Sequence, residues 1–169
     1  QKTEVSSTTD NNTNSANKEK KTQKKEVKNL VKDIEYLTTD SDGNKYKILA
    51  TSGGTNLKDN SILDLVNVRG TITSEDRSTI FIVSDFAEYN SGSLNSKFYE
   101  NVVINYENKQ ITCDNFDINL EKNIAIAYND VVVTDPTSVM KAGEIILDIK
   151  TKNININPNN NDKINIITN

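Results

Sequence analysis

Residues 79–89 read Thr-Ile-Phe-Ile-Val-Ser-Asp-Phe-Ala-Glu-Tyr, a stretch dominated by β-branched and aromatic side chains with the small Ser84 at its centre. Similar stretches follow at residues 108–118 and 137–147, each 29 positions after the one before, and a shorter relative precedes them at residues 46–52. A repeat of this period indicates stacked supersecondary units, each of which buries its apolar face against the next. The repeat therefore predicts a chain built from strands and hairpins.

A second short element recurs between these stretches, at Asn67-Val68, Asn101-Val102 and Asp130-Val131. Runs rich in β-branched residues that are bounded by Gly, Asn, Asp or Pro predict strands. The predicted strands cover residues 34–36, 46–50, 62–72, 79–89, 97–106, 110–120, 123–134, 139–149, 153–157 and 163–167. Gly43 supplies the positive φ of the first hairpin turn. We therefore predict an all-β domain over residues 34–169, arranged as an open, twisted antiparallel sandwich of stacked hairpin repeats.

Residues 1–33 differ in composition from this domain. The first 17 are rich in Asn, Ser and Thr and too polar to bury a core, so we expect a disordered stalk or linker. Apolar residues at helical spacing, among them Val27, Leu30 and Val31, predict a short amphipathic helix over residues 19–31. Residues 1–33 carry eight Lys against five acidic side chains, whereas residues 34–169 carry twelve basic against nineteen acidic ones. This split suits attachment near an anionic membrane surface, and it equally suits a plain solvated linker.

The composition also excludes several kinds of chemistry. The chain has 169 residues, no His, a single Cys and a formal net charge of −4. Without His there is no imidazole base, and one Cys allows neither an internal disulfide nor a Cys-rich zinc site. We therefore expect a binding or scaffolding protein rather than an enzyme, with no catalytic residue, no metal and no cofactor. An acidic domain without a basic, aromatic stripe is also a poor nucleic-acid binder.

Five ordered segments resemble the LptC family of periplasmic lipopolysaccharide export proteins. They are residues 43–50, 67–70, 82–89, 98–104 and 111–116, within a likeness that covers about residues 34–157. The resemblance implies an open antiparallel β-jellyroll whose two sheets splay around an apolar groove. It further implies a lipopolysaccharide-binding adaptor that accepts lipopolysaccharide from an inner-membrane ABC transporter and passes it to LptA.

Strand alternation gives the side chains expected to face the groove. This predicted lipid-binding set is Tyr46, Ile48, Ile82, Phe98, Val102, Ile104, Ile111, Phe116, Ile118, Tyr128, Val131, Val133, Ile145 and Leu147. The resemblance also implies two docking edges that pair with partner strands. The periplasmic domains of the transporter would meet the N-terminal edge near Tyr46 and Ala50. LptA would meet the C-terminal edge near Gly143, Ile149, Ile154 and Ile156.

The only methionine is Met140, so we expect an upstream segment before Gln1. By resemblance, this segment is an anchor that tethers a periplasmic domain to the inner membrane. Two alternatives stay open at this point. A cleavable signal in place of an anchor would favour a soluble bridge protein of the LptA type, and a completely filled interior would favour a structural repeat or adhesin module that binds no lipid.

Overall fold

The structure, a computed structural model, describes residues 27–151, 153–157 and 165–168, with side chains for residues 29–151 and 153–157. These residues form β1 (Val27–Thr39), β2 (Lys45–Asn56), β3 (Ile62–Ser74), β4 (Arg77–Asn90), β5 (Ser96–Tyr106), β6 (Lys109–Asn119), β7 (Ile124–Thr134), β8 (Ser138–Asp148), β9 (Ile154–Asn157) and β10 (Asn165–Thr168). Each predicted strand overlaps an observed one, and the all-β prediction is confirmed. None of the described residues forms a helix long and apolar enough to cross a membrane.

All pairings are antiparallel, and β1 to β8 lie side by side in chain order. The last two strands share the outer edge of β8: β9 pairs with residues 144–147 and β10 with residues 138–141. Sequential neighbours of this kind need only short turns, and the Asp40 to Asn44 turn is one. Gly43 adopts φ 81° there and its N–H donates to the Asp40 carbonyl at 3.2 Å, as the hairpin prediction requires.

This one sheet folds back on itself to give two layers. Tyr36 pairs within the sheet with Ile48, whereas Tyr89 pairs with Leu63 and Ser96, far along the strands. The two tyrosine rings nevertheless stack with centroids 4.8 Å apart. Each long strand must therefore contribute one half to each layer. Layer A contains residues 34–39, 45–50, 68–74, 77–83, 102–106, 109–113, 131–134 and 138–142, and layer B contains residues 27–32, 52–56, 62–66, 86–90, 96–99, 115–119, 124–128 and 144–148.

The strands cross from one layer to the other along a fold line of bends. In the odd-numbered strands the bends carry left-handed residues, including Asn67 at φ 51° and the pairs Glu100-Asn101 and Asn129-Asp130. Asn and Asp tolerate this conformation better than other non-glycine residues. Side-chain hydrogen bonds brace the bends: the Asn67 amide donates to Thr51 Oγ1 at 3.1 Å, and the Asn129 amide donates to Asn115 Oδ1 at 2.8 Å. The recurrent Asn-Val and Asp-Val element of the sequence is therefore the folding crease of the sheet.

The core lies between the layers and is continuous from β1 to β8. The Val that follows each crease, at Val68, Val102 and Val131, is almost completely buried. The opposite face of layer A is in contact with solvent and carries Leu37, Leu49, Phe81 and Val83 among its exposed apolar side chains.

The predicted helix over residues 19–31 is wrong where the structure can be compared with it. Residues 27–31 belong to β1, and residues 19–26 lie outside the described part of the chain. Asn29 and Asp33 adopt φ 51° and 53°, and the pairing register with β2 shifts between Lys28 and Val31. These irregularities disturb the alternation of a strand, so the apolar residues imitate helical spacing. Among the described residues, the sheet therefore already includes residues 27–33, which precede the predicted start of the domain at residue 34.

Candidate functional site

A cavity of about 390 Å³ lies between the layers at the C-terminal half of the sandwich. Layer A contributes Ile72, Ile80, Ile104, Ile111, Val133 and Met140 to its wall. Layer B contributes Phe116, Ala125, Ala127, Ile145 and Leu147, and β9 adds Ile154 and Ile156. These side chains offer no hydrogen bonds, so this part of the cavity suits the apolar part of a ligand.

The N-terminal half of the same interlayer space is filled. Only about 20 Å³ remains there, between Tyr36, Tyr46 and Ile48 of layer A and Leu94, Phe98 and other side chains of layer B. Phe98 is 1% exposed, and its ring lies 6.2 Å from the ring of Phe116 on the neighbouring strand. This aromatic pair marks the boundary between the packed half and the open half.

Small side chains on layer B explain why the C-terminal half stays open. Ala125 and Ala127 stand on β7, opposite Leu147 and Ile145 of β8 in the pairing register. Both alanines are buried and both line the cavity, where a longer side chain would fill it. The corresponding space in the N-terminal half holds Tyr89, Phe98 and Leu94 instead.

The structure divides the predicted lipid-binding set into four groups. Six of its side chains line the cavity: Ile104, Ile111, Phe116, Val133, Ile145 and Leu147. Five lie in the packed half: Tyr46, Ile48, Ile82, Phe98 and Ile118. Val102 and Val131 are core residues beside the crease, each 1% exposed. Tyr128 lies on the other face of the sheet and is treated separately.

The inward placement of Tyr128 is wrong. Its neighbours Ala125 and Ala127 face the core, and Tyr128 points the other way, with its hydroxyl 3.4 Å from both carboxylate oxygens of Asp117. Burial raises the pKa of the Asp117 carboxyl, the charge of Lys97 opposes that shift, and burial also raises the pKa of the Tyr128 hydroxyl. This pair therefore belongs to the outer surface of layer B.

The N-terminal docking edge also needs correction. Tyr46 and Ala50 lie on β2, and β2 has β1 on one side and β3 on the other, so neither residue is at an edge. Among the described residues, the edge strand is β1. Tyr46 is instead a core residue whose hydroxyl donates to Asp40 Oδ2 at 2.9 Å, and burial together with this contact raises its pKa.

The four residues of the predicted C-terminal edge occupy different positions. Ile154 and Ile156 lie on β9, which covers part of the outer edge of β8, and they are 59% and 37% exposed while also lining the cavity. Gly143 falls between the stretches of β8 that pair with β9 and β10. Ile149 is not at an edge, because it is buried and its N–H donates to the Asn123 carbonyl at 2.8 Å.

Polar side chains reach the cavity only where the layer A turns meet it. These are Arg77 at the start of β4, Tyr106 at the end of β5, Lys109 at the start of β6, and Asp135 and Ser138 in the β7 to β8 turn. Asp135 is engaged by its own turn: it accepts hydrogen bonds from the backbone N–H groups of Thr137 and Ser138 and from the Ser138 hydroxyl, each at 2.8 Å. These hydrogen bonds, first of all that from the Thr137 N–H, lower the pKa of Asp135 to about 2.

Sequence reasoning missed the cavity residues that are small, polar or at strand ends. Ala125 and Ala127 give no apolar signal of their own, and Arg77 and Lys109 read as ordinary turn residues. The repeat offers one usable signal, because the strand start at residues 77–80 corresponds to residues 106–109 one period later. That spacing brings the two basic residues to the same end of layer A.

Comparison with known proteins identifies the family. The family model described as "Lipopolysaccharide-assembly, LptC-related" matches residues 5–160, most of the chain. This chain belongs to the LptC-related family.

A solved structure supports the fold of this LptC-related chain. It is similar to LptH of Pseudomonas aeruginosa, described as the LptA homologous periplasmic component of the conserved lipopolysaccharide transport device. The TM-score is 0.53 at 7% sequence identity, over 73% of this chain and 94% of LptH. At that identity the likeness concerns the β-jellyroll fold alone. No curated protein matches the chain.

Membership of the family assigns the chain to lipopolysaccharide transport. The cavity fits that assignment chemically, because its wall is apolar.

Cys113 lies in the core beside the crease, and burial raises the pKa of its thiol to about 11, so at neutral pH it is a protonated core side chain.

Proposed function

We propose that this chain is the periplasmic adaptor that receives lipopolysaccharide from an inner-membrane ABC transporter, shelters its acyl chains in the C-terminal cavity and passes it to an LptA-type partner. The observation that carries the proposal is the contrast within one sandwich between a filled half and an apolar cavity of about 390 Å³. A protein that needed only a stable scaffold would gain by filling that space, since buried voids cost stability.

Shielding the acyl chains has a clear energetic benefit. Exposing one methylene to water costs about 0.8 kcal/mol, so an acyl chain of about a dozen methylenes costs roughly 10 kcal/mol in an aqueous compartment. The cavity wall from Ile80 and Ile104 to Phe116 and Ile145 replaces that water with apolar contacts. No chemistry is required of the chain, and the driving force comes from the transporter.

The two ends of the sheet suit the two handover steps. Within the described residues, β1 pairs on one side only, with β2, so its other edge is open to a strand from the transporter. The other end, at β9, carries the half-exposed Ile154 and Ile156 that also line the cavity. An LptA-type partner docked there would extend the apolar wall without interruption. An N-terminal anchor would tether the domain to the inner membrane.

A photocrosslinking experiment tests the cavity directly. A benzophenone side chain is placed at Phe116, inside the cavity, or at Tyr128, on the opposite face of the neighbouring strand. Both are aromatic positions that tolerate a bulky ring, so they form a matched pair. In cells that transport lipopolysaccharide, irradiation should give a lipopolysaccharide adduct at Phe116 and little or none at Tyr128.

Two outcomes would contradict the proposal. Equal yields at Phe116 and Tyr128 would show that lipopolysaccharide meets the surface without entering the cavity. Absence of an adduct at Phe116, Val133 and Ile145 together, in variants that still fold, would show that the cavity does not carry lipid.

A further inference from the structure

The polar groups of the cavity are confined to one of its borders. Arg77 and Lys109 stand at the starts of β4 and β6, in neighbouring turns of layer A. The two turns touch, because the Ser78 hydroxyl donates to Glu107 Oε1 at 3.5 Å. Phe116 and Ile145 lie at the other end of the cavity, beside the crease. About four residues of strand, or roughly 13 Å, separate Lys109 from the crease at Cys113.

Arg77 is held in place by a chain of hydrogen bonds. Its Nε donates to Ser74 Oγ at 2.9 Å, and the Ser74 hydroxyl donates in turn to Asn44 Oδ1. The Asn44 amide donates to Asp40 Oδ2 at 2.8 Å, and Asp40 also holds the first hairpin turn through the backbone N–H groups of Asp42 and Asn44. The guanidinium is thus oriented by two turns of the packed half while it borders the open half.

Two acidic side chains near this border, Asp135 and Glu107, accept hydrogen bonds from neighbouring protein groups. Asp135 accepts its hydrogen bonds from Thr137 and Ser138 within its own turn. Glu107 accepts from Ser78. Arg77 and Lys109 are the two cationic side chains that line the cavity at this end, and a guanidinium and an ammonium together favour a phosphate or carboxylate group.

We infer that the Arg77 and Lys109 border binds the anionic headgroup of an amphiphile whose acyl chain extends inward along Ile80 and Ile104 toward Phe116. This inference rests on the proposed function and adds the orientation of the bound lipid to it. The lipid enters tail first, and its charged group stays at the layer A turns. A wholly apolar cavity would bind tails in either direction. A single basic border makes one orientation of the lipid bind more tightly than the other, because a phosphate buried at the Phe116 end would have no partner.

The test uses two amphiphiles that share one tail, dodecyl phosphate and dodecyl maltoside, titrated below their critical micelle concentrations. The variant Arg77→Gln/Lys109→Gln removes both border charges. The matched control Arg69→Gln/Lys122→Gln removes one Arg and one Lys from exposed positions that do not line the cavity. Both variants therefore change the net charge by the same amount.

The border variant should bind dodecyl phosphate about tenfold more weakly than the unaltered chain, with dodecyl maltoside binding unchanged. The control variant should bind both amphiphiles as the unaltered chain does. Added salt should weaken phosphate amphiphile binding to the unaltered chain more than to the border variant.

Three results would overturn the inference while leaving the proposed function in place: equal loss of both ligands in the border variant, equal loss of dodecyl phosphate in both variants, or no loss in either. Displacement of dodecyl phosphate by an equal concentration of inorganic phosphate would also overturn it, since the site would then recognise free phosphate. Failure of the unaltered chain to bind either amphiphile would instead count against the proposed function.

Discussion

The two halves of this sandwich are made from the same repeat, yet one is packed and the other is open. At the N-terminal half, the stacked rings of Tyr36 and Tyr89 border the same space as Phe98, and about 20 Å³ is left between the layers. At the C-terminal half, Ala125 and Ala127 take the places of large side chains and about 390 Å³ is left. The backbone crease thus provides two layers, and the side chains between them are larger in the packed half than in the open half.

The largest effect should come from truncating the aromatic pair at the boundary. Phe98→Ala should lower the free energy of unfolding by about 3–5 kcal/mol, because it opens a void in packed core. Phe116→Ala should cost less, about 1–3 kcal/mol, because one side of that ring already borders empty space. Equilibrium urea unfolding followed by circular dichroism measures both.

Phe81→Ala serves as the control for this pair, since that ring is 52% exposed on the outer face of layer A. Its cost should stay within about 0.5 kcal/mol. Equal losses for Phe98→Ala and Phe116→Ala would mean that the cavity is closed in solution, and the distinction between the halves would disappear.

Enlarging a buried side chain should lower stability in the packed half but not in the open half. Ala87→Leu places a larger side chain in the packed half, beside Phe98 in the pairing register, and should destabilise the protein by about 1–3 kcal/mol. Ala127→Leu extends into the cavity and should leave stability unchanged or raise it by up to about 1 kcal/mol. Thermal unfolding compares the two variants on the same scale.

Ala127→Leu should also reduce the crosslinking of lipopolysaccharide at Phe116, because Ala127 lies opposite Phe116 and the new side chain occupies the same space. A variant that is destabilised as much as Ala87→Leu, with undiminished crosslinking, would show that the cavity wall lies elsewhere.

The smallest effect concerns the turn at the border of the open half. The pKa of Asp135 is lowered to about 2 in the folded protein, against an ordinary value near 3.9. The stability that this carboxylate contributes is therefore present above about pH 4 and is lost as the pH falls toward 2. Asp135→Asn should make unfolding less dependent on pH in that window.

Ser138→Ala removes the hydroxyl that donates to Asp135 and should give a weaker change of the same sign. Urea midpoints measured from pH 5 to pH 2 check both variants. An unchanged slope in Asp135→Asn would mean that the turn does not hold the carboxylate in solution.

Much of the fold could be predicted because strand signals are local. Among the described residues, β-branched runs and turn residues placed β2 to β10 and part of β1, and the 29-residue repeat predicted the even-numbered strands from β4 to β8. The crease was visible as well, as Asn67-Val68 and its relatives, although its left-handed conformation was not predicted.

The face of Tyr128 could not be predicted, because strands cross the crease in two ways. In β4 and β6 the buried positions on either side are three residues apart, as at Cys113 and Phe116. In β5 and β7, two left-handed residues intervene and the spacing is four, as at Ala127 and Val131. If the three-residue spacing is applied to β7 and counted back from Val131, it selects Tyr128. The four-residue spacing observed in β7 selects Ala127, one position earlier. Such a one-residue error exchanges the faces of a strand.

The cavity could not be predicted for a different reason. Its existence depends on which side chains face one another across the two layers, and these come from residues far apart in sequence, such as Ile80 and Leu147, which line the same cavity. Alternation gave the inward face, but it did not show that the tyrosines would close one half while the alanines leave the other half open.

The crease has a consequence for assembly. Because each long strand runs through both layers, a foreign strand hydrogen-bonded along the whole of β1 would have to bend at the same height, near Asp33. Backbone pairing alone would then align the interior of the domain that supplies this strand with the interior of this domain. A row of domains paired in this way would need no specific side-chain contact to keep their interiors aligned. The residues at the pairing edges would then be free to vary in sequence.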